Sequence, residues 1–399
     1  MRTAEVIIVG AGPVGTFAAL ALANQGIDVI ICEAGATCAQ DLRASTFHPP
    51  TLDMLQELDV ASDIINLGLK APKYHFRERQ SGEYVEFDLT ELSDELQFPF
   101  RVQCEQHVMA GQLASKLEAH DHAEVLYQYR ANSFEQDDLG VTVAFETPYE
   151  IEKIRARYVI AADGGNSILR KWLGVEFEGF TYPEKFLCLS TKVELKDYIE
   201  NLVYVNYVAD PSEWQVLLRV PSVWRILVPA SEDESDENLL SDQNRDEIFQ
   251  RLIGQSGVTT EHRTIYRVHQ RVAKRFDHGR VFLVGDAAHL NNPLGGFGMN
   301  SGIHDAWNLQ EKVATCLKSG HDSDLFRLFD KQRRTVTHDF IQAQTIQNKE
   351  LLEHGAAEGH ARRFAKMKSL AENDQQRREF LLRQCMVSSL RDAAAIALG

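Results

Sequence analysis

The sequence predicts an α/β fold: a Rossmann-type nucleotide-binding domain built from separated segments, an inserted mixed β-sheet domain, and a helical C-terminal segment. Three observations carry this. Residues 4–33 read as strand, glycine turn, helix and strand. Two further apolar runs, Tyr158–Ala162 and Val281–Val284, come much later, and each ends in Asp-Gly or Gly-Asp, as a parallel strand does where it hands over to a loop. Alternating strand-like runs fill the gaps, and from Asn300 onward the pattern is polar and helical. The expected division is 1–73, 106–179 and 276–345 for the nucleotide-binding domain, 74–105 and 180–275 for the inserted domain, and 346–399 for the helical tail.

The first strand runs into Val9-Gly10-Ala11-Gly12-Pro13-Val14-Gly15, a G-x-G-x-x-G between strand and helix. Gly10 permits the tight turn, Gly12 lets the backbone approach a pyrophosphate, and Gly15 lets the helix pack close to the strand. The helix N-terminus, at Pro13 and Val14, then faces an anion. Glu33, followed by Ala34, closes the second strand, where a carboxylate binds both ribose hydroxyls of an adenosine and disfavours a 2′-phosphate. A glycine triplet alone is weak evidence. With both strands, the helix and the terminal Glu in register, it reads as a dinucleotide site, for NAD or FAD.

After the Tyr158–Ala162 strand comes Asp163-Gly164-Gly165-Asn166-Ser167-Ile168-Leu169-Arg170. Asp163 and Arg170 are spaced to bracket a pyrophosphate or to brace the neighbouring glycine loop, and a plain capped helix start is the bland alternative. In the inserted region Leu187–Val193, Leu202–Val208 and Gln215–Val220 alternate as strands. The acidic stretch 231–247 reads as a solvated loop leading into a helix capped near Ser241 or Asp242.

The Val281–Val284 strand ends in Gly285-Asp286-Ala287-Ala288-His289, followed by Asn291-Asn292-Pro293-Leu294-Gly295-Gly296-Phe297-Gly298-Met299-Asn300. An Asp at a strand end can hold the hydroxyls of a ribityl chain, which NAD lacks, so this motif favours FAD. The alternative for Asp286 is a helix N-cap, with His289 one turn into that helix. Beyond it, Leu325, Leu328, Phe329, Phe340 and Ile341 are expected to be buried.

Composition excludes several classes. A formal net charge of −16 without a basic patch argues against nucleic acid. No apolar run approaches the roughly 20 residues that span a bilayer, and the first residues lack a signal-peptide pattern, so a cytoplasmic protein is expected. Cysteines 32, 38, 104, 188, 316 and 385 are scattered without Cys-x-x-Cys spacing, which predicts buried reduced thiols and no metal site.

Taken together, the three motifs resemble the class A flavoprotein aromatic hydroxylases, the family of para-hydroxybenzoate hydroxylase and phenol hydroxylase, over roughly residues 4–345. The resemblance implies a non-covalent FAD, NADH or NADPH as co-substrate, and O2. It implies hydroxylation of a phenolic, heteroaromatic or polycyclic small molecule through a flavin C4a-hydroperoxide, by a monomer or homodimer. It would place Gly10, Gly12, Pro13, Val14, Gly15, Glu33 and Ala34 on the adenosine diphosphate half, with Arg43 near the pyrophosphate. Gln106 would lie beside the flavin, and Asp163 and Arg170 in the motif shared by FAD and NAD(P)H. Asp286 would bind the ribityl chain. Gly298, Met299 and Asn300 would line the flavin, and the backbone of Pro293, Gly295 and Gly296 would stabilise developing negative charge.

Leu294, Phe297, Tyr204 and Tyr207 are the candidate pocket walls, and His48 is the leading candidate for a substrate base, with His75 behind it. Arg219 and Arg225 are weaker candidates for binding a substrate carboxylate, and His289 reads as structural. One departure is Ser-Thr-Phe-His-Pro-Pro-Thr at 45–51, where relatives carry a Pro-Arg-Thr ending. Two other functions share these motifs: an FAD-dependent reductase or dehydrogenase of a hydrophobic substrate, and a flavin halogenase-like enzyme. The halogenase Trp-x-Trp-x-x-Pro signature is matched only loosely by Val223–Pro229.

Overall fold

The helix Pro13–Ala23 is buried at every residue from Gly15 to Ala23, so it lies inside the molecule rather than on its surface. Its apolar, alanine-rich sequence suits that position. It packs between the strands Arg2–Val9 and Val29–Glu33 on one side and the helices Gln106–Glu118 and Phe297–Ser319 on the other. The computed structural model describes residues 1–38, 44–210, 213–352 and 357–398.

Three sheets organise the chain. The first has a parallel core of Ala123–Tyr127, Val29–Glu33, Arg2–Val9, Ile151–Ala161 and Val281–Leu283 in spatial order. The three apolar runs separated in sequence are therefore neighbours in one sheet, and their C-terminal ends collect the glycine turn, Asp163 and the Gly285 turn along one edge.

The second sheet has eight strands, running from His289–Leu290 through His262–Ala273, Phe177–Thr191, Trp224–Ala230, Gln215–Arg219, Val205–Ala209 and Lys73–Glu78 to Tyr84–Asp88. Its alternation separates two cores. Leu187, Leu189, Leu217 and Ile226 pack with Ile248 and Phe249 of the helix Asp242–Ile253, on one face. Phe186, Cys188, Val205, Val216, Tyr74 and Phe76 face the other way, against Leu294, Leu352, Phe364, Met367 and Leu381. The C-terminal helices thus cover the face of the sheet that looks toward the glycine-rich loop. Ser241 caps the Asp242–Ile253 helix through the Asn244 N–H, as the acidic stretch suggested; a further short helix, Asp236–Leu239, capped by Ser235, had no sequence signal.

The third sheet is small and was not foreseen. Arg101–Gln103 pairs with Thr46–Phe47 on one side and Leu69–Ala71 on the other. Helix Ser323–Val336 continues through a π-helical turn, Thr337–Gln342, into Ala343–Leu352. Phe329, Phe340 and Ile341 are buried as expected, whereas Leu325 and Leu328 are only partly buried. All six cysteines are buried and none is in a disulfide. Among the described residues no helix is long and apolar enough to cross a membrane, and no His, Cys, Asp and Glu group could hold a metal ion.

Candidate functional site

The three glycines of the first motif have different reasons to be glycine. Gly10 has φ +105°, and a Cβ there would lie 2.4 Å from the Ala162 carbonyl oxygen; a Cβ on Gly15 would lie 1.9 Å from the Gly10 carbonyl oxygen. The protein's own packing requires both. Gly12 has an extended conformation open to any residue, φ −77° and ψ −177°, and a Cβ on it would meet nothing within 4 Å. Neither backbone nor packing explains it. Gly12 is also the N-cap of helix Pro13–Ala23 and supplies no side-chain cap, so the first-turn N–H groups are left without a capping side chain. That is the arrangement a diphosphate fits.

Glu33 ends the second strand as predicted. Its Oε2 accepts from Ala11 N–H at 2.8 Å and its Oε1 from Gly35 N–H at 2.7 Å, which fixes the carboxylate beside the glycine turn with lone pairs to spare. Arg43 lies outside the described residues. Gln106 opens helix Gln106–Glu118 and is buried, its N–H donating to Ala44 O at 3.0 Å.

Asp163 Oδ2 accepts from the N–H groups of Ile168, at 2.8 Å, and Leu169, at 3.3 Å. Its Oδ1 is buried without a partner. Burial raises its carboxyl above the ordinary 3.8, against hydrogen bonds from Ser167 and the backbone. Arg170 resolves an open alternative: Nη1 donates to Ala287 O at 2.9 Å and Nη2 to Gly165 O at 2.7 Å, with the guanidinium 3.8 Å over the Phe177 ring. It braces the Asp163 loop against the Gly285 turn. Ser167 caps this short helix through the Arg170 N–H at 3.0 Å. Ser167→Ala is expected to cost about 1–2 kcal/mol in urea unfolding while leaving flavin content unchanged.

The Gly285 turn departs from expectation. Asp286 does not cap an α-helix: Gly285–Ala287 is a single 3₁₀ turn, and His289 lies not in a helix but in the strand His289–Leu290, paired with Val272. A buried ion cluster holds this geometry. Asp305 Oδ2 accepts from Gly285 N–H at 3.1 Å and from His289 Nε2 at 2.7 Å, and Arg333 Nε donates to Asp305 Oδ1 at 2.7 Å. Side-chain pull from residues 305 and 333 thus outweighs the helical tendency of Ala287-Ala288. Burial favours the neutral form of Asp305, but His289 and Arg333 prevail and hold its carboxyl below the ordinary 3.8.

The loop that follows is fixed by uncharged side chains. Gly296, with φ +70°, is the N-cap of Phe297–Ser319. Asn292 Nδ2 donates to Thr345 O at 2.9 Å, Asn348 Nδ2 to Leu294 O at 3.2 Å, and Gln342 Nε2 to Leu290 O at 3.0 Å. Asn300 is a clamp: its amide donates to Thr46 O at 2.8 Å and Gly296 O at 2.7 Å, and accepts from His48 N–H at 3.0 Å. Phe297 packs on His48, ring centroids 5.4 Å apart, and on Phe340. Leu294 joins the core that faces the second sheet, with Tyr204 and Tyr207 at its edge. Met299 is buried and Gly298 lies 3.5 Å, at an added Cβ, from Asn291 Oδ1.

His48 is fully buried beside this loop. Its Nε2 is 2.8 Å from the Gly295 carbonyl, which can only accept, so Nε2 carries the proton and Nδ1 is left an acceptor without a partner. Burial, then the nearby Arg101, push this imidazole well below 6.5, so it is neutral at neutral pH. His75 points to the opposite face of its strand from Tyr74, stacked on Tyr84 and bonded to Arg77 and Glu86, and so does not reach the loop. Arg219 is bonded to local carbonyls near the surface, whereas Arg225 is buried near Ser45 and Tyr266. Sequence reasoning missed Tyr74, Arg101 and Gln103, each with at least one buried polar atom without a partner, and the Asp305–Arg333 pair.

Comparison with known proteins gives the family and the relatives of the chain. Residues 3–344 match the FAD binding domain family. The chain is 30% identical over 351 residues to para-nitrophenol 4-monooxygenase of Pseudomonas sp. (strain WBC-3), covering 86% of each chain. It is 29% identical over 368 residues to 6-hydroxy-3-succinoylpyridine 3-monooxygenase of Pseudomonas putida, covering 88% of this chain and 89% of the other. Among solved structures, p-nitrophenol 4-monooxygenase PnpA from Pseudomonas putida DLL-E4 superposes over 100% of both chains with a TM-score of 0.91 at 27% identity.

Proposed function

The chain belongs to the FAD binding domain family, as one of its flavin-dependent aromatic hydroxylases, and we propose from that premise that it uses NADH or NADPH and O2 to hydroxylate a single-ring phenolic or hydroxypyridine-type substrate. The observation that carries the substrate reading is the row of buried polar atoms without partners where the third sheet meets the glycine-rich loop. The substrates in the names of the two relatives, a nitrophenol and a hydroxypyridine, are single rings that carry several polar atoms. We assign residues 1–73, 106–179 and 276–345 to the FAD-binding domain and 74–105 with 180–275 to the substrate domain.

In this reading Gly10, Gly12 and Gly15, with the N–H groups that open the first helix, hold the diphosphate, and Glu33 with Ala34 holds the adenosine ribose. Asp286 binds ribityl hydroxyls. Asp163 Oδ1, buried without a partner, accepts from a donor on the bound dinucleotide. Gln106, Gly298 and Met299 border the flavin, and Asn300 acts one step back, tying Thr46 and His48 to Gly296. Bound FAD supplies the redox chemistry, taking electrons from the nicotinamide and activating O2. The chain's part is to exclude water, which the apolar walls Leu294 and Phe297 do, and to orient the ring. His48 Nδ1 accepts a hydrogen bond from a ligand N–H or O–H.

The test is NAD(P)H oxidation by the FAD-loaded protein with and without a panel of phenols and hydroxypyridines, run under ¹⁸O₂. One ligand class is expected to raise the rate at least ten-fold and to yield product carrying one ¹⁸O. Equal rates with every ligand, or a reduced product without ¹⁸O, would favour a reductase instead.

A further inference from the structure

The third sheet puts four polar residues on one face. Thr46 is opposite Gln103 and Phe47 opposite Val102, so continuing this antiparallel register by one residue places His48 beside Arg101. Thr46, His48, Arg101 and Gln103 therefore share a face, with Phe47 and Val102 on the other. The face abuts the glycine-rich loop: His48 reaches Gly295 O, and a Cβ on Gly296 would lie 2.9 Å from the Thr46 Cβ.

Arg101 is 1% exposed, yet among the described residues its side chain makes one hydrogen bond, from Nη2 to the Gln384 carbonyl at 3.1 Å. Its Nε and Nη1 have no partner, and no carboxylate among the described residues pairs with it. The guanidinium sits 4.4 Å over the ring of Tyr74, whose hydroxyl is also buried and without a partner. Gln103 Nε2 is a further unfilled donor, since its oxygen is taken by the Thr46 hydroxyl at 3.0 Å. A guanidinium keeps its charge when buried, and an unpaired buried charge is costly. A solvent-exposed or merely structural arginine does not account for this: Arg170 and Arg333, which brace the fold, each donate through two of their three nitrogens.

We propose that Arg101 and the Tyr74 hydroxyl form a subsite for an anionic oxygen on the aromatic substrate, a phenolate or a ring carboxylate, and so select ionised substrates over neutral ones. The anion supplies the counter-charge that the chain withholds. The Gln384 carbonyl, from the helix Asp374–Gln384, holds the guanidinium in place, which gives the C-terminal segment a part in substrate selection. This rests on the reading of the protein as an aromatic hydroxylase.

The test is a titration of the FAD-loaded protein, read by the change in flavin absorbance, with two ligand pairs: 4-nitrophenolate against 4-nitroanisole, and 4-hydroxybenzoate against its methyl ester. The parent is expected to bind the anionic member of one pair at least ten-fold tighter than its neutral partner, and which pair responds tells phenolate from carboxylate. Arg101→Met is expected to bring that ratio to within about three-fold, with the neutral ligand unchanged. Should Arg101→Met fail to hold FAD, Tyr74→Phe, which keeps the ring and loses the hydroxyl, carries the test; a several-fold loss confined to the anion is expected. A parent without charge preference, or a preference that survives both substitutions, overturns the subsite alone. A parent that binds no aromatic ligand overturns the hydroxylase reading and the subsite together.

Discussion

Gly12→Ala is expected to give a folded protein that has lost most of its affinity for FAD. The reasoning is one of elimination. A Cβ on Gly12 meets no protein atom within 4 Å and the backbone there suits any residue, so stability should change by less than about 1 kcal/mol. What the methyl does occupy is the space against the first turn of the Pro13–Ala23 helix, where a diphosphate must come close to the N–H groups. Charge-assisted hydrogen bonds are worth roughly 1.5–3 kcal/mol each, so losing one or two corresponds to about ten- to twenty-thousand-fold in affinity. The comparison is Gly15→Ala, where the added carbon would lie 1.9 Å from the Gly10 carbonyl oxygen and folding itself should fail. Circular dichroism separates the two, and an apoprotein titration with FAD measures the first. A folded Gly12→Ala variant that binds FAD like the parent would remove the diphosphate from this turn.

The second large effect concerns Asp305. Asp305→Asn keeps the shape and removes the charge, leaving the buried Arg333 without its counter-ion and weakening the anchor on Gly285 N–H. Breaking a buried pair from one side costs about 3–5 kcal/mol, which should show as a lower denaturation midpoint in urea. The pH dependence has a definite sign. Because His289 and Arg333 outweigh burial and hold the folded-state carboxyl below its ordinary 3.8, its contribution is fully present above that value. It is lost only as pH falls through the lower, folded-state value. The gap between parent and variant should therefore be constant from pH 8 to 5 and close only below about pH 4. A gap that changes between pH 8 and pH 5 would mean that a group other than Asp305 sets the pH dependence.

The parts of this molecule legible in its sequence are those set by short-range pattern. The glycine turn and Glu33 span one strand–helix–strand unit, so their register is fixed by neighbours in sequence. Ser241 as a cap is local as well. The parts that escaped depend on long-range pairing. Arg101 lies on a three-residue strand too short to show a period, and its partner strands lie about thirty and more than fifty residues away in the chain. Tyr74 and His75 are adjacent, and nothing local says that Tyr74 faces the loop while His75 faces Tyr84. His289 was placed in a helix because Asp-Ala-Ala is a common helix start. Asp305 and Arg333, which override that tendency, come from later helices.

The π-helical turn at Thr337–Gln342 has a consequence for how this chain tolerates changes of length. A π turn carries roughly one residue more than the α-helical turn it interrupts, and each α-helical residue advances the next by about 100°. Deleting one residue within 337–342 would let the helix heal to α geometry with nearly the same rotation about the axis, whereas inserting one would swing everything after it by about 100°. Thr345 and Asn348 now face Asn292 and Leu294 across the loop, and both would turn away together. The surplus residue can be lost without changing the phase between two halves of one rod. A substitution or a one-residue deletion there is a local matter, whereas an insertion is read out at the loop below.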